Sequence, residues 1–201
     1  FENVEDNHTM HATFARKHTP TPSTPTVEIP DDDALGLNTD DHFAYIVGYG
    51  NGEVRPQNNI TRAEVATIFF RLLTDDVRDE NLTKTNRYSD VAATSWYNTA
   101  VSTLSSMGII TGYPDGTFRP DAPISRAEFA KIAVSFTQNN GSAVYNYFTD
   151  VKTTDWFAPY VTAAKDAGLI EGYSDGSFKP ESKITRAEAC AIVNRTLGRK
   201  P

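Results

Sequence analysis

Cysteine and histidine are scarce in this chain, which limits the chemistry it can perform. Its 201 residues include one cysteine, Cys190, and four histidines. A single cysteine excludes a disulfide within the chain. His8, His11 and His18 lie close in sequence, but no fixed pair of carboxylates accompanies them. We therefore expect no metal site and no cofactor.

Strongly basic segments and long apolar runs are also missing. The net charge is -7 at pH 7, and residues 1–35 hold seven acidic against two basic side chains, so the rest of the chain is nearly neutral. A nucleic-acid partner demands a clustered basic surface, which this balance disfavours. No run of about 18 apolar residues occurs, so we expect no insertion into a membrane.

The N-terminal part of the chain differs from the rest in composition. Because the sequence starts with Phe1 and has no charged-then-apolar leader, we expect a fragment of a longer protein. In residues 1–17, Met10, Ala12 and Phe14 alternate with polar residues, which predicts one strand, the remnant of a preceding β module. Residues 18–35 are rich in proline, threonine and aspartate and predict a stiff, extended linker.

The remaining chain carries one four-residue motif in three copies. The copies are Thr61-Arg62-Ala63-Glu64, Ser125-Arg126-Ala127-Glu128 and Thr185-Arg186-Ala187-Glu188. Each follows a Gly-Tyr pair, at 48–49, 112–113 and 172–173, whose glycine lies 14 residues before the arginine. Other residues return at an offset of 60, among them Trp96 as Trp156 and Pro120 as Pro180. Recurrence at a fixed offset indicates tandem structural repeats.

Each repeat has apolar residues at helical spacing on both sides of a central loop. In the second repeat, Trp96, Val101 and Leu104 predict one helix, and Phe129 and Ile132 predict another. One helix-loop-helix unit cannot bury both of its apolar stripes, whereas three units around a common axis can. The predicted fold is therefore mainly α, with three helix-loop-helix repeats in a pseudo-threefold, spindle-like assembly. We also expect Cys190 to be a small core residue of the last helix.

The predicted repeats span residues 36–78, 79–140 and 141–201, and the first is incomplete. Counting back from Gly48 by the distance that separates Trp96 from Gly112 reaches Asp32, inside the linker. The only candidate for a first helix in this repeat is the short run 39–46. We therefore expect the first repeat to lack most of a helix and its tryptophan.

The threonine or serine and the glutamate of each motif predict a capping box at the start of a helix. The arginine is not needed for capping, and a cation in the first turn opposes the helix dipole. A helix start with free amides and a guanidinium is suited to holding a carboxylate or phosphate. The alternative is that Arg62, Arg126 and Arg186 pair with acids such as Asp115 or Asp175 and lock repeats together.

Aromatic residues and glycines near each motif suit a sugar ligand. Tyr49, Tyr113 and Tyr173 follow glycines, of which Gly112 and Gly172 would allow close backbone approach. Trp96 and Trp156 offer flat faces for pyranose rings, although core packing at the first helical turn is the favoured interpretation of both. Asp90 and Asp150 are interpreted as organising the turn into the first helix.

The combination of these motifs resembles the S-layer homology domain, and residues 38–197, about four fifths of the chain, resemble a triplet of such domains. The residues that carry the resemblance are Phe148, Asp150, Val151, Trp156, Gly168, Gly172, Tyr173, Asp175, Gly176, Phe178, Pro180 and Ile184 to Glu188.

This resemblance implies a pseudo-threefold helical assembly with three grooves. It also implies a non-catalytic module on the outside of a bacterium, in the cell wall or S-layer, that binds a secondary cell-wall polysaccharide linked to peptidoglycan. The bound sugar would be acidic, often a pyruvate ketal, and the motif arginine, here Arg62, Arg126 or Arg186, would anchor its carboxylate. Because the first repeat departs from the pattern, the groove that needs its tryptophan is in doubt.

Two alternatives to this function stay open. One is a structural self-association module that contacts other copies in a surface layer, and the other is direct binding to peptidoglycan. An enzyme is disfavoured because the repeats hold one histidine, His42, and no Ser-His-Asp order, metal spacing or carboxylate pair distinct from capping.

Overall fold

A computed structural model of the chain describes residue 37 and residues 45–137 and 144–199. These residues form six helices and no β-sheet. The helices are α1 (Arg62–Leu72), α2 (Asp75–Asn81), α3 (Asn98–Ser106), α4 (Arg126–Val134), α5 (Ala158–Asp166) and α6 (Arg186–Thr196). The expected mainly helical class is confirmed, whereas the strand predicted in residues 1–17 and the linker in 18–35 lie outside the described residues.

The three motif copies begin the second helix of each repeat, namely α1, α4 and α6. At α1, the Thr61 hydroxyl accepts from the Glu64 amide at 3.2 Å, and the Glu64 carboxylate accepts from the Thr61 amide at 2.8 Å. Complete capping boxes also begin α4 and α6. Two backbone amides that an isolated helix would leave unpaired are thereby satisfied at each start. The predicted capping role of the motif glutamates is confirmed.

The first helices of the second and third repeats, α3 and α5, follow the two tryptophans and are ended by glycines. Gly108 and Gly168 have φ values of 75° and 69°, a left-handed conformation that stops a helix and favours glycine. In the first repeat, Tyr45 and Ile46 are not helical, and the rest of the candidate helix 39–46 lies outside the described residues. Helix α2 was not predicted; it crosses the expected boundary between residues 78 and 79.

A closed ring of backbone hydrogen bonds joins the three repeats. The Ile60 amide donates to the Ile184 carbonyl at 3.1 Å, the Ile184 amide to the Ile124 carbonyl at 3.3 Å, and the Ile124 amide to the Ile60 carbonyl at 3.1 Å. All three side chains are fully buried. The last repeat therefore contacts the first as it contacts the second, which confirms the pseudo-threefold arrangement.

The second helices of the repeats surround the common core. The rings of Phe69 on α1 and Phe136, just after α4, stack with their centroids 5.0 Å apart, and Phe129 lies 5.8 Å from Phe69. Across repeats, α1 packs against α3 and α4 packs against α5. Cys190 is only partly buried, so its expected place in the core is wrong.

Candidate functional site

Each motif arginine uses three of its N–H groups within the chain. Arg62 is buried, and its Nε donates to the Phe118 carbonyl at 2.9 Å. Its Nη1 donates to Glu128 Oε1 at 2.9 Å and its Nη2 to the Thr111 carbonyl at 2.8 Å. All of these acceptors belong to the next repeat. The side chain therefore ties the first repeat to the second.

The same contacts recur around the axis and close a ring of ion pairs. Arg62 pairs with Glu128, Arg126 pairs with Glu188 at 3.4 Å, and Arg186 pairs with Glu64. The acids are thus the capping glutamates of the next repeat. Asp115 and Asp175, the acids suggested by the sequence, instead pair with Arg119 and Lys179. The ring gives the arginines the structural role that the sequence left open.

The helix starts do not offer free amides to a ligand. The Arg62 amide donates to the Ala122 carbonyl at 3.0 Å and the Ala63 amide to the Pro120 carbonyl at 2.9 Å. The third amide, that of Glu64, is capped by Thr61. Equivalent bonds occupy the amides at the starts of α4 and α6. The expected anion site made by free helix amides is wrong, because the neighbouring repeat takes them.

Each motif arginine also covers one face of the tyrosine in the next Gly-Tyr pair. The Arg62 guanidinium carbon lies 5.0 Å from the Tyr113 ring centroid, and that of Arg119 lies 4.0 Å from the same ring. The tyrosine is therefore held between two cations, and Tyr49 and Tyr173 are held in the same way. The Tyr113 hydroxyl donates to Glu128 Oε1 at 3.2 Å, and burial raises the pKa of the Tyr113 phenol. Such a ring presents its edge, not a free face, to a ligand.

Two of the three glycines of the Gly-Tyr pairs, Gly112 and Gly172, are required by packing inside their own repeats. A Cβ on Gly112 would lie 2.5 Å from the Thr117 carbonyl oxygen and would overlap the Tyr88 ring. A Cβ on Gly172 would meet the Phe148 ring in the same way. The close approach inferred from the sequence thus exists, but it is an approach to an aromatic side chain of the same repeat.

A cleft lies beside each of two motif arginines, Arg62 and Arg186. The first, which we call the Trp156 groove, has a volume of about 220 Å³ and is lined by Arg62, Gly112, Tyr113, Lys131 and Trp156, among others. The arginine comes from the first repeat, the Gly-Tyr pair and the lysine from the second, and the tryptophan from the third. All three repeats therefore contribute to one site.

The second cleft, the Trp96 groove, is built in the same way and is larger. Its volume is about 780 Å³, and its lining includes Tyr49, Arg71, Lys84, Trp96 and Arg186. More of its wall is apolar, owing to residues such as Ile46, Val47, Phe70 and Leu82. The two clefts thus share a plan but differ in size and in the character of their walls.

The third equivalent position has the same arginine contacts, but its described residues line neither of these two clefts. Arg126 donates to the Phe178 and Glu171 carbonyls and contacts Tyr173, as its two counterparts do with their own neighbours. Neither Arg126 nor Tyr173 nor Gly172 lines either of the two clefts. By symmetry the tryptophan of this position would come from the first repeat, where the sequence places Asp32.

The two tryptophans are exposed at the edges of the clefts. Trp96 is 67% exposed and Trp156 is 54% exposed. Each lies before the first residue of its helix and makes an edge contact with the next aromatic residue, Tyr97 or Phe157. The favoured interpretation of both as core residues is therefore wrong, since more than half of each side chain is exposed.

Three features of this region were not found in the sequence. Lys131 and Arg71 both line the clefts. Lys131 has no counterpart at the equivalent positions, and Arg71 has one only in the third repeat, Arg195, so a comparison of all three repeats passes over both. The role of Asp90 also differs from the expected one. Its two carboxylate oxygens accept from the amides of Phe118 and Arg119, each at 2.7 Å, and so hold the loop before the motif. Asp150 does the same in the third repeat.

The family is decided by a comparison with models of known families. The S-layer homology domain model matches three segments, residues 44–66, 87–130 and 147–190. The chain belongs to the S-layer homology domain family. Each matched segment contains one Gly-Tyr pair and at least the first five residues of the helix that its motif begins.

Similar proteins include several from bacterial surfaces. The chain is 38% identical over 179 residues to cell surface glycoprotein 1 of Acetivibrio thermocellus, covering 84% of this chain and 8% of that protein. It is 37% identical over 169 residues to the cellulosome-anchoring protein of the same organism, covering 81% and 37%. An amylopullulanase of Thermoanaerobacterium thermosulfurigenes is 31% identical over 156 residues, covering 74% and 8%. The chain thus spans less than two fifths of each of these relatives.

The described part of the chain has neither a metal-binding cluster nor a membrane-spanning helix. No group of three or more histidine, cysteine, aspartate or glutamate side chains there is arranged to hold a metal ion. No helix among residues 45–137 and 144–199 combines the length and the apolar character needed to cross a lipid bilayer. His8, His11 and His18 lie outside the described residues.

Proposed function

We propose that this chain is a non-covalent anchoring module that attaches a longer protein to the outer surface of a bacterial cell. Its ligand is an acidic polysaccharide linked to peptidoglycan, and the Trp156 and Trp96 grooves hold that ligand. The observation that carries the proposal is the pair of exposed tryptophans, each beside a cleft that three repeats build together.

An exposed indole at a cleft edge supports binding of a sugar ring. Single exposed apolar side chains are common on protein surfaces, but large aromatic faces beside a cleft with polar groups are typical of a ligand-binding groove. Trp96 and Trp156 occupy equivalent positions in different repeats, and both are exposed. A pyranose has an apolar face that can stack on the indole, while its hydroxyls reach polar groups of the wall, such as the Tyr113 hydroxyl.

The names of similar proteins support the location. One relative is named a cellulosome-anchoring protein and another a cell surface glycoprotein. The relative named for an enzyme, the amylopullulanase, is matched over 8% of its length, so that name describes a protein of which this chain resembles a small part. Anchoring without catalysis is the activity we assign to the present segment.

The ring of ion pairs bears on the alternative of self-association. Arg62, Arg126 and Arg186 lock repeats of one chain to each other, and their charges are met by acids of the same chain. They are therefore poor candidates for bridging separate copies. Direct binding to peptidoglycan would use the same grooves. The binding experiment below distinguishes binding to the polysaccharide from binding to peptidoglycan.

The proposal is tested by sedimentation with purified cell-wall sacculi. We expect the chain to sediment with intact sacculi, to be released by soluble wall polysaccharide, and to bind less when the polysaccharide has been extracted. Unchanged binding to extracted sacculi would assign the grooves to peptidoglycan. No sedimentation with either preparation would refute anchoring.

Variants of exposed aromatic residues make the test specific. Trp156→Ala and Trp96→Ala are each expected to weaken binding about tenfold, because a stacked indole contributes on the order of 1.4 kcal/mol. Tyr145→Ala is the matched control, since Tyr145 is 54% exposed but lines neither groove. Equal loss in all three variants would indicate nonspecific aromatic adhesion and would contradict the assignment of the grooves.

A further inference from the structure

We propose that Lys131 is the residue that binds the acidic group of the ligand in the Trp156 groove, and that Arg62 positions the wall of this groove. The inference rests on the proposed function and names the contact that reads the charge of the sugar. It assigns recognition to a residue outside the repeated motif.

The charge of Arg62 is already compensated within the protein. Its Nη1 is 2.9 Å from Glu128 Oε1, and the Arg62 side chain is 7% exposed. A carboxylate that approaches this pair meets a cation and an anion together, so the net attraction is small. The two remaining N–H groups of Arg62 can donate to a ligand. They do not supply the uncompensated positive charge that favours an acidic sugar over a neutral one.

Lys131 supplies an uncompensated charge in this groove. It lies one turn after Glu128 on α4, so both side chains lie on the same side of the helix. No salt bridge involves Lys131 within residues 45–137 and 144–199. Its Nζ lies 5.7 Å from the Tyr160 ring centroid, which keeps the ammonium group near the tryptophan side of the groove.

The other repeats lack this lysine. The equivalent positions, counted from the motif, are Thr67 on α1 and Ala191 on α6. In the Trp96 groove the cations without a salt bridge among the described residues are instead Arg71 and Lys84, which lie elsewhere on the wall. Recognition through Lys131 is therefore a property of the Trp156 groove alone, and this asymmetry provides the control.

The experiment measures the affinity of the whole chain for soluble wall polysaccharide by calorimetry in two backgrounds. In Trp96→Ala, binding depends on the Trp156 groove, and Lys131→Met is expected to weaken it about tenfold. Methionine retains the apolar stem and a similar helix propensity, so the thermal midpoint should not change. In Trp156→Ala, the same substitution should have no effect. Lys152→Met, at an exposed site outside both grooves, is the charge control.

A second arm uses polysaccharide whose carboxyl groups have been reduced to alcohols. In the Trp96→Ala background the chain should bind this neutral form about tenfold more weakly, and Lys131→Met should then have no further effect. Equal binding of both forms, or an unchanged affinity in Lys131→Met for the native form, would overturn the assignment while leaving anchoring intact. Failure of the unmodified chain to bind any wall polysaccharide would refute the proposed function itself.

Discussion

The ring of ion pairs makes a quantitative prediction about stability. Arg62→Met removes the donors to the Phe118 and Thr111 carbonyls and to Glu128. Breaking a buried ion pair costs about 3–5 kcal/mol, and an unpaired buried acceptor costs about 1–3 kcal/mol. Glu128 keeps some of its partners, since its side chain is 21% exposed and it also accepts from Tyr113. We therefore expect a loss near the lower end, about 3 kcal/mol.

The loss can be measured by urea unfolding followed by far-UV circular dichroism. About 3 kcal/mol corresponds to a fall of about 6–12 °C in the thermal midpoint for a chain of this size. Glu128→Gln retains the capping oxygen but removes the charge, so a double-mutant cycle with Arg62→Met isolates the pair. Because the two side chains are in direct contact, the coupling free energy should be about 1–3 kcal/mol.

The control for this prediction lies on the same helix. Arg71→Met removes one positive charge from the last turn of α1, where no salt bridge is formed among the described residues. Its effect on unfolding should stay within about 0.5 kcal/mol. If Arg62→Met were no more destabilising than Arg71→Met, the ring would contribute nothing to stability, and the motif arginine would again need a ligand to explain it.

Two further predictions concern a glycine and an exposed carboxylate. Gly112→Ala should destabilise the chain by about 1–3 kcal/mol through overlap with the Tyr88 ring, whereas Gly50→Ala, whose Cβ would meet nothing within 4 Å, should leave the urea midpoint unchanged or slightly raised. Hydrogen bonds from the Thr117 side chain, then from Arg119, lower the pKa of Asp115 to about 2. Because its pKa in the unfolded chain is about 3.9, the stabilisation from this carboxylate is present above about pH 4 and is lost as the pH falls towards 2. A carboxyl titration by NMR should have its midpoint near 2, and a midpoint near 4 would contradict the predicted contacts.

Features set by local sequence were predictable. The capping boxes depend on a serine or threonine and a glutamate three residues apart, and both partners can be read in one motif. The three copies of the motif showed that one capped helix occurs in every unit, and the number of units then favoured a closed threefold arrangement. The structure confirms the capping boxes, which depend on residues within one motif, and the threefold arrangement, which depends on the number of repeats.

The partner of the motif arginine was not predictable by the same reasoning. The capping box gives Glu64 a partner within its own motif, and the sequence indicates no partner for its second carboxylate oxygen. In the structure Oε2 accepts from the Thr61 amide, while Oε1 pairs with Arg186, which is 122 residues away in sequence. A carboxylate can satisfy two separated partners at once, and only the arrangement of repeats in space shows the second one.

The tryptophans show a different limit of sequence reasoning. Trp96 is spaced as a core residue of α3, but the helix begins only at Asn98, so the helical spacing does not extend to the tryptophan. The turn before the helix places the indole outside the core. The sequence predicts that the position next to Arg126 lacks the tryptophan that the other two positions have, because the first repeat carries Asp32 there. The place of Lys131 in a groove was not predictable, because this lysine occurs in one repeat only.

The bond from the last isoleucine back to the first also limits how such a module can grow. In an open solenoid, a duplicated unit can be added to either end, since each end has a free stacking surface. In this chain the amide of Ile60 already donates to Ile184, so no end is left for a fourth unit. A longer adhesive segment built on this plan would therefore have to gain three units together, as a second complete circle joined by a spacer.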